Sequence, residues 1–235
     1  MLNNNFLALG LTLIIAITWL RINDFLAHKG LVPSKISRKI IHIGTGPIFV
    51  LCWLLFNTSK FAPFFAAIVP LGITVQFALV GSGLIKDPSA VEAMSRSGDR
   101  KEILRGPLYY GIVFVLTTII FWRNSPIGIV ALMILCGGDG LADIIGSFIG
   151  GQTLPWSPRK TLIGSLTMFV GGLISSTAII WVFVRMGYLQ NPLSNYFFPV
   201  ILISFVTTMV ESLPFENIDN ITVPLVSVLL GLLVF

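Results

Sequence analysis

The chain has 235 residues, of which 55% are hydrophobic and only 11% are charged, and its mean hydropathy is +0.92. A soluble globular domain carries about 25% charged residues, so this composition excludes a protein that is surrounded by water on all sides. The apolar runs do not alternate with polar residues, which excludes a transmembrane β-barrel. The net charge of +5 suits membrane orientation or an anionic substrate rather than nucleic acid.

The apolar runs predict an all-α integral membrane protein, a single polytopic domain in which one helix is interrupted by a Gly-rich segment near the cytosolic side. Several runs approach the roughly 20 residues that cross a bilayer, and we expect about eight transmembrane helices. The first run has no basic stretch before it and no small-residue cleavage site, so we expect it to be retained. The predicted spans are Phe6–Leu20, Ile40–Phe56, Phe61–Leu84, Leu108–Trp122, Ile127–Ile149, Leu162–Met186, Leu193–Leu213 and Thr222–Phe235.

The charged residues are distributed unequally between the two sides of this predicted bundle. Twelve of the fifteen Lys and Arg residues fall in the first, third and fifth loops, whereas Lys60, Arg123 and Arg185 fall on the other side. The positive-inside rule then places these three loops in the cytosol and both termini on the opposite side. All ten Asp and Glu residues share the predicted cytosolic side. Because the rule does not explain carboxylates, we expect the polar chemistry on that face.

The start of the second predicted span carries two cations and an imidazole. Arg38, Lys39 and His42 are spaced so that one helical face presents all three side chains. Such a face could bind an anion. The alternative is a structural histidine beside two cations that only anchor the end of the span.

The third loop mixes charges with apolar residues. Asp87 before Pro88 is a helix-start signal, and the pattern after it suggests a short helix on the membrane surface. The more specific hypothesis is that Arg105, at the end of this loop, reaches a phosphate group.

The fifth predicted span contains the strongest chemical signal, the segment GGDGLAD at 137–143. Counting from Pro126 at a rise of 1.5 Å per residue, Asp139 lies about 20 Å into a core of about 30 Å. Asp143 is four residues further on, so both carboxylates share one helical face. Two such groups need a cation or water, and Mg²⁺ shared with substrate phosphates fits. The alternative is a helix break with two hydrated carboxylates.

The fifth loop leads into the sixth span through SPRKTLIGS at 157–165. Adjacent cations, hydroxyl groups and a glycine at a helix N-terminus are typical of phosphate binding, and an anchor capped by Ser or Thr is the alternative. The candidate residues are Arg159, Lys160, Thr161, Gly164 and Ser165.

The seventh loop has the opposite character. Glu211, Asp219 and Asn220 supply acceptors, and the loop contains no Lys or Arg to compensate them. We include Asp219 and Asn220 among the candidate nucleotide-binding residues. Structural capping around the prolines of this loop is the alternative.

Together these motifs resemble the phytol kinases, a family of membrane prenyl-alcohol kinases related to farnesol and dolichol kinases and to CTP-dependent phosphatidate cytidylyltransferases. The resemblance covers about residues 37–224, in order and with similar spacing. The segments are SRKIIHIGTG (37–46), RGPLYYG (105–111), FWRNSPIGIV (121–130), GGDGLAD (137–143), LPWSPRKTLIGSLTMF (154–169), VESLP (210–214) and DNITVP (219–224).

The resemblance implies transfer of the γ-phosphate of a nucleoside triphosphate, characteristically CTP, to phytol for tocopherol and prenyl-lipid synthesis; farnesol and geranylgeraniol are other possible acceptors. It also implies a cyanobacterial plasma or thylakoid membrane. The chain departs from the family pattern at Ser147-Phe148 and at Ile218, which bears on nucleotide affinity and donor choice.

We therefore expect Asp139 and Asp143 to hold Mg²⁺ and to act with Lys160 in catalysis. Arg159 and Lys160 would bind the nucleotide phosphates. The rest of this anion-binding pocket would be formed by Arg38, Lys39, His42 and Arg105. Two alternatives stay open: a CTP-dependent cytidylyltransferase, and a transporter of an anionic metabolite with a broken helix.

Overall fold

The computed structural model describes residues 1–95, 98–214 and 218–235, with the side chains of all of these except residues 24, 34, 35, 38, 92 and 93. The chain is helical through most of this part. The longer helices are α1 (Asn5–His28), α2 (Ser34–Cys52), α3 (Ala62–Ser82), α5 (Gly106–Ile120), α8 (Leu162–Arg185), α9 (Leu193–Glu211) and α10 (Asp219–Val234). The shorter elements are α4 (Pro88–Met94), α6 (Pro126–Met133), α7 (Gly140–Ile149) and the strands β1 (Thr153–Leu154) and β2 (Ser157–Thr161).

The fold class is confirmed: this is a helical membrane protein. In the part of the chain that the structure describes, six helices are long and apolar enough to cross a bilayer, including one that runs from α6 through α7. The apolar parts of α2 and α10, Lys39–Leu55 and Asp219–Val234, are shorter, so the count of eight spans stays a prediction. The first helix continues to His28, eight residues past the predicted end of the span at Leu20.

The helix formed by α6 and α7 lies at the centre of the bundle. Within its most apolar window 72% of the residues are buried, against 17% for α1. It packs against α2, α8 and α10, while α1 packs against α2 and α3, and α3 packs against α5. The segment GGDGLAD therefore starts in the packed interior, with Asp139 half-buried, and reaches an exposed position at Asp143.

The Gly-rich segment changes the helix without breaking it. Residues Ile134–Asp139 form a π-helical turn that joins α6 to α7, and such turns are frequent at functional sites. A Cβ atom on Gly137 would collide with Ser175 of α8, and one on Gly140 would collide with Ile43 of α2. The glycines thus let two neighbouring helices approach the backbone that carries Asp139.

The end of the bundle away from Asp143 is held together by one buried cation. Arg123 follows α5 and is only 2% exposed. Its guanidinium donates to the carbonyl oxygens of Trp53 at 3.0 Å, Phe56 at 2.7 Å and Asn57 at 2.7 Å, and it lies 4.4 Å from the ring centroid of Tyr188. Burial lowers the pKa of Arg123, and Tyr188 raises it. This contact supplies donors to carbonyls in and just after the short 3₁₀ turn Trp53–Leu55, where a helix end needs capping.

Asp143 and Glu211 lie at the other end of the bundle, which we call the acidic end. Two loops at the acidic end contain secondary structure. The predicted helix start in the third loop is confirmed: Asp87 caps α4 by accepting from the amide of Ala90 at 3.0 Å. In the fifth loop β1 and β2 pair as an antiparallel hairpin that the sequence did not predict. Thr161 ends the hairpin and caps α8, accepting from the amide of Gly164 at 3.0 Å.

Candidate active site

A cavity of about 480 Å³ opens beside the central helix at the acidic end, within the roughly 300–1,000 Å³ typical of ligand sites. Four helices line it with stripes of residues three or four apart: Thr12, Ile15, Ala16 and Trp19 on α1; Lys39, His42, Thr45, Phe49 and Cys52 on α2; Val69, Pro70, Ile73 and Phe77 on α3; Gly106, Pro107, Tyr110 and Phe114 on α5. Its mouth is polar and its depth is apolar, so it suits a molecule with a polar head and an apolar tail.

Asp139 and Asp143 both line the mouth of this cavity. The ammonium group of Lys39, whose side chain is 10% exposed, lies 3.2 Å from the carboxylate of Asp143. It also donates to the backbone carbonyl of Asp143 at 2.6 Å and to the hydroxyl of Ser147 at 3.2 Å. The structure therefore brings together Lys39 and Asp143, which were assigned to phosphate and to metal respectively, as one ion pair.

His42 lies deeper, beside the other carboxylate. Its Nε2 atom is 3.7 Å from Asp139 and 3.2 Å from the carbonyl oxygen of Leu135, which belongs to the π-helical turn. The imidazole also packs against the ring of Tyr110, with centroids 4.7 Å apart, and the hydroxyl of Tyr110 donates to the carbonyl of His42 at 3.2 Å. These contacts orient the imidazole toward Asp139.

A second cluster lies at the acidic end next to the cavity. Lys160 of β2 pairs with the carboxylate of Glu211, which is 4% exposed, and with that of Asp219 at 3.1 Å. Burial by itself would lower the pKa of Lys160, but the carboxylates of Glu211, Asp219 and Asp139 raise it above its usual range. Lys160 is therefore charged at physiological pH. The influence of Asp139 links this cluster electrostatically to the cavity.

The charge balance of this region bears on what it can bind. The two carboxylates of the cluster, Glu211 and Asp219, outnumber its one ammonium group, so a polyphosphate would be repelled unless a further cation joined it. Mg²⁺ commonly uses one or two carboxylates together with substrate phosphates and water. Among the described residues no three or more His, Cys, Asp or Glu side chains could hold a metal alone. Asp139 and Asp143, four residues apart on one cavity wall, fit a cation shared with phosphate.

The remaining predicted site residues are placed as follows. Arg105 is exposed at the cavity mouth and forms no ion pair with any residue that the structure describes. Asn220 also lines the mouth and donates to the carbonyl of Gly106 at 3.0 Å. The side chain of Arg38 lies outside the described residues. The residues around the start of α8 do not line the cavity: Arg159, Thr161, Gly164 and Ser165.

Sequence reasoning missed three contributors to the site. Glu211 was noted only as an uncompensated acceptor, although a carboxylate at the end of an apolar span is uncommon enough to indicate function. Its partner Lys160 comes from another loop, which no local pattern reveals. Tyr110 carried no signal beyond its position in RGPLYYG. Ser147 was noted only as a departure from the family pattern, and it is a hydrogen-bond partner of Lys39.

Comparison with known proteins gives a consistent set of relatives. The chain is 42% identical over 221 residues to "Probable phytol kinase 3, chloroplastic" of Glycine max, covering 93% of this chain and 69% of the relative. It is 37% identical over 214 residues to "Phytol kinase 1, chloroplastic" of Arabidopsis thaliana, covering 90% and 70%. To "Farnesol kinase, chloroplastic" of the same plant it is 37% identical over 230 residues, covering 97% and 75%.

No protein-family model and no solved structure matches the chain. The relatives named above are chloroplastic plant enzymes, so they lend no support to the cyanobacterial membrane that the sequence suggested.

Proposed function

Because this chain belongs to the phytol kinase family, we propose that it transfers the γ-phosphate of CTP to phytol, giving phytyl phosphate for tocopherol and related prenyl-lipid synthesis. Its relatives are named phytol and farnesol kinases, and the chain is accordingly an alcohol phosphotransferase that acts on prenyl alcohols. The nucleotide, the preferred alcohol and the biosynthetic role are the parts that we propose.

The observation that carries this proposal is the cavity that joins two carboxylates to an apolar depth. Asp139 and Asp143 line one end, and Phe49, Val69 and Phe77 line the rest. A prenyl alcohol has the same division, with one hydroxyl group on a long apolar chain. The cavity would bury the chain and leave the hydroxyl among the polar groups, where a nucleotide can arrive from water.

The proposed reaction is a displacement at phosphorus. The hydroxyl oxygen of the alcohol forms a bond to the γ-phosphorus, the bond from that phosphorus to the bridging β-oxygen breaks, and CDP leaves with the bonding electrons. The hydroxyl proton passes to a carboxylate. We assign this role to Asp139, because its side chain is 22% exposed against 58% for Asp143 and it lies closer to the apolar depth. Positioning and electrostatic stabilisation supply most of the catalysis in such transfers.

Asp139 and Asp143 would hold Mg²⁺ when the nucleotide binds, and the ion would neutralise charge on the phosphate oxygens. Lys39 pairs with Asp143, and Lys160 pairs with Glu211 and Asp219, close enough to Asp139 for that carboxylate to raise its pKa. We propose that each shifts toward phosphate when the nucleotide enters. Arg105 is positioned at the mouth to bind the distal part of the nucleotide, with Asn220 beside it. Arg38, Arg159 and the hydroxyl groups at the start of α8 would extend the anionic site.

The test is an assay of the purified protein with γ-labelled CTP, UTP or ATP and a panel of prenyl alcohols. The proposal predicts label in the lipid product, CDP as the second product, CTP as the preferred donor and a requirement for a divalent cation. A cytidylyltransferase would instead attack the α-phosphorus and release pyrophosphate. Labelled pyrophosphate without labelled lipid would overturn the kinase proposal.

We further propose that the acidic end faces the cytosol or, in a plastid, the stroma, as the distribution of Lys and Arg predicts. A reporter inserted at Pro155 should report that compartment, and one at Asn191 should not. An external signal at Pro155 would contradict the orientation.

A further inference from the structure

The deep end of the cavity is built differently from its mouth. Thr12, Cys52 and Val69 line it from three helices and are 1%, 5% and 3% exposed. Thr12 and Val69 lie at the same depth, each seven residues after the first residue of its helix, at Asn5 and Ala62. The hydroxyl of Thr12 donates to the carbonyl of Ala8 at 2.8 Å and also contacts the thiol of Cys52, so both polar groups have partners. We call these three residues the floor.

We propose that the floor sets the longest prenyl chain that the enzyme accepts, with the terminal isoprene unit of a twenty-carbon alcohol lying against Thr12, Cys52 and Val69. This inference rests on the proposed function, because it assumes that the cavity holds the acceptor alcohol with its hydroxyl near Asp139.

The length of the cavity supports this assignment. On α2 the lining stripe runs from Lys39 to Cys52, a rise of about 20 Å, and its part from His42 to Cys52 rises about 15 Å. His42 lies beside Asp139, so the reacting hydroxyl would lie between these two levels. A twenty-carbon chain is one isoprene unit longer than a fifteen-carbon chain, so its last unit needs the space next to the floor more. Such a chain reaches the floor extended from the level of Lys39 and bent from the level of His42.

The chemistry of the floor agrees with this role. A methyl group, a thiol and a small branched side chain offer an apolar surface without a charge, which suits the end of a hydrocarbon chain. Larger residues lie above the floor, and Phe49 and Phe114 contact each other there, with ring centroids 5.7 Å apart. A side chain enlarged at Cys52 or Val69 would project into space that the last isoprene unit needs.

The experiment compares geranylgeraniol with farnesol, which have the same allylic alcohol head and differ by one isoprene unit. The floor variants are Cys52→Phe and Val69→Phe. Their matched controls are Leu51→Phe and Ile68→Phe, because these neighbours are 37% and 46% exposed and do not line the cavity. The quantity measured is kcat/KM for each alcohol with a saturating nucleotide.

In both floor variants the ratio of kcat/KM for geranylgeraniol over farnesol should fall at least about tenfold, since a pocket that lacks room for even one methylene discriminates by about 10–200-fold. The controls should keep the wild-type ratio. Cys52→Leu adds less volume and serves if the Phe variants do not fold. Folded floor variants with an unchanged ratio would overturn the role of the floor while leaving the kinase intact. Failure of the wild-type protein to phosphorylate either alcohol would instead reject the proposed function.

Discussion

Buried cations occur at both ends of the bundle, but their partners differ. At the acidic end Lys39 and Lys160 pair with the carboxylates of Asp143, Glu211 and Asp219. At the opposite end the guanidinium of Arg123 is surrounded by backbone carbonyl oxygens and the aromatic faces of Trp122 and Tyr188.

The difference separates a structural cation from cations that can take part in chemistry. Carbonyl groups are fixed in the backbone, and a guanidinium that satisfies them has few donors left for a ligand. A lysine ammonium held by carboxylates beside a cavity can exchange one anionic partner for another, since phosphate and carboxylate bind it in the same way. A criterion based on burial alone would select Arg123 as the functional residue before Lys160. The chemical nature of their partners favours Lys160 instead.

The largest effect on activity is expected at Asp139. Asp139→Asn keeps the shape of the side chain but cannot accept the hydroxyl proton or hold a cation as well. We expect kcat to fall about 10³-fold, within the 10²–10⁴-fold range of acid–base catalysis. The thermal midpoint in detergent should be unchanged or higher, because the variant removes a charge that is costly in the membrane. Asp87→Asn, which can still cap α4, is the control and should keep wild-type turnover. Wild-type activity in Asp139→Asn would remove this carboxylate from the site.

The next effect is expected at Lys160. Lys160→Met keeps the aliphatic stem and removes the ammonium group, so Glu211 is left as an unpaired buried carboxylate. We expect a loss of about 3–5 kcal/mol in the free energy of unfolding and a loss of activity of about 10²-fold. Both can be measured by denaturation and by single-turnover label transfer.

A second substitution separates the two losses. Lys160→Met combined with Glu211→Gln removes the unpaired charge and should restore most of the stability. If Lys160 contacts phosphate, the double variant stays about 10²-fold less active. Recovery of activity together with stability would mean that Lys160 only compensates Glu211.

The smallest effect on turnover is expected at Arg123. Arg123→Met removes the guanidinium donor from three carbonyl groups, and we expect a loss of stability of about 3 kcal/mol or more. Turnover per folded molecule should stay within about twofold of wild type, because no transition-state contact is removed. Arg185→Met is the control: Arg185 lies at the same end but is exposed over the ring of Trp181, so its loss should change stability little. A selective loss of turnover in Arg123→Met would contradict the structural role.

Sequence patterns predicted the features that depend on local order. The apolar runs predicted the membrane helices, Asp87 before Pro88 predicted the start of α4, and the spacing of Asp139 and Asp143 predicted their common wall. These features follow from helical periodicity and capping, which act over a few residues.

The features that sequence did not predict depend on contacts between distant segments. The pairing of Lys160 with Glu211 joins a hairpin to the end of α9. The hydrogen bonds of Arg123 join the end of α5 to the turn after α2. The Gly-rich segment was expected to interrupt the helix, whereas Gly137 and Gly140 mainly allow close approach of the neighbouring helices α8 and α2. Such close approaches are properties of packing and leave no periodic trace in the sequence.

The central claim, that the prenyl alcohol is bound and phosphorylated in the cavity at the acidic end, can be tested by photochemical labelling. A phytol analogue with a diazirine at the tail would be irradiated with the folded protein, and the modified peptides would be identified by mass spectrometry. The account predicts labelling of residues around Thr12, Cys52 and Val69, and loss of that labelling when phytol is added in excess. Labelling around Trp122, Tyr188 and Tyr196, which line a separate polar cavity at the opposite end, with none at the floor, would contradict it.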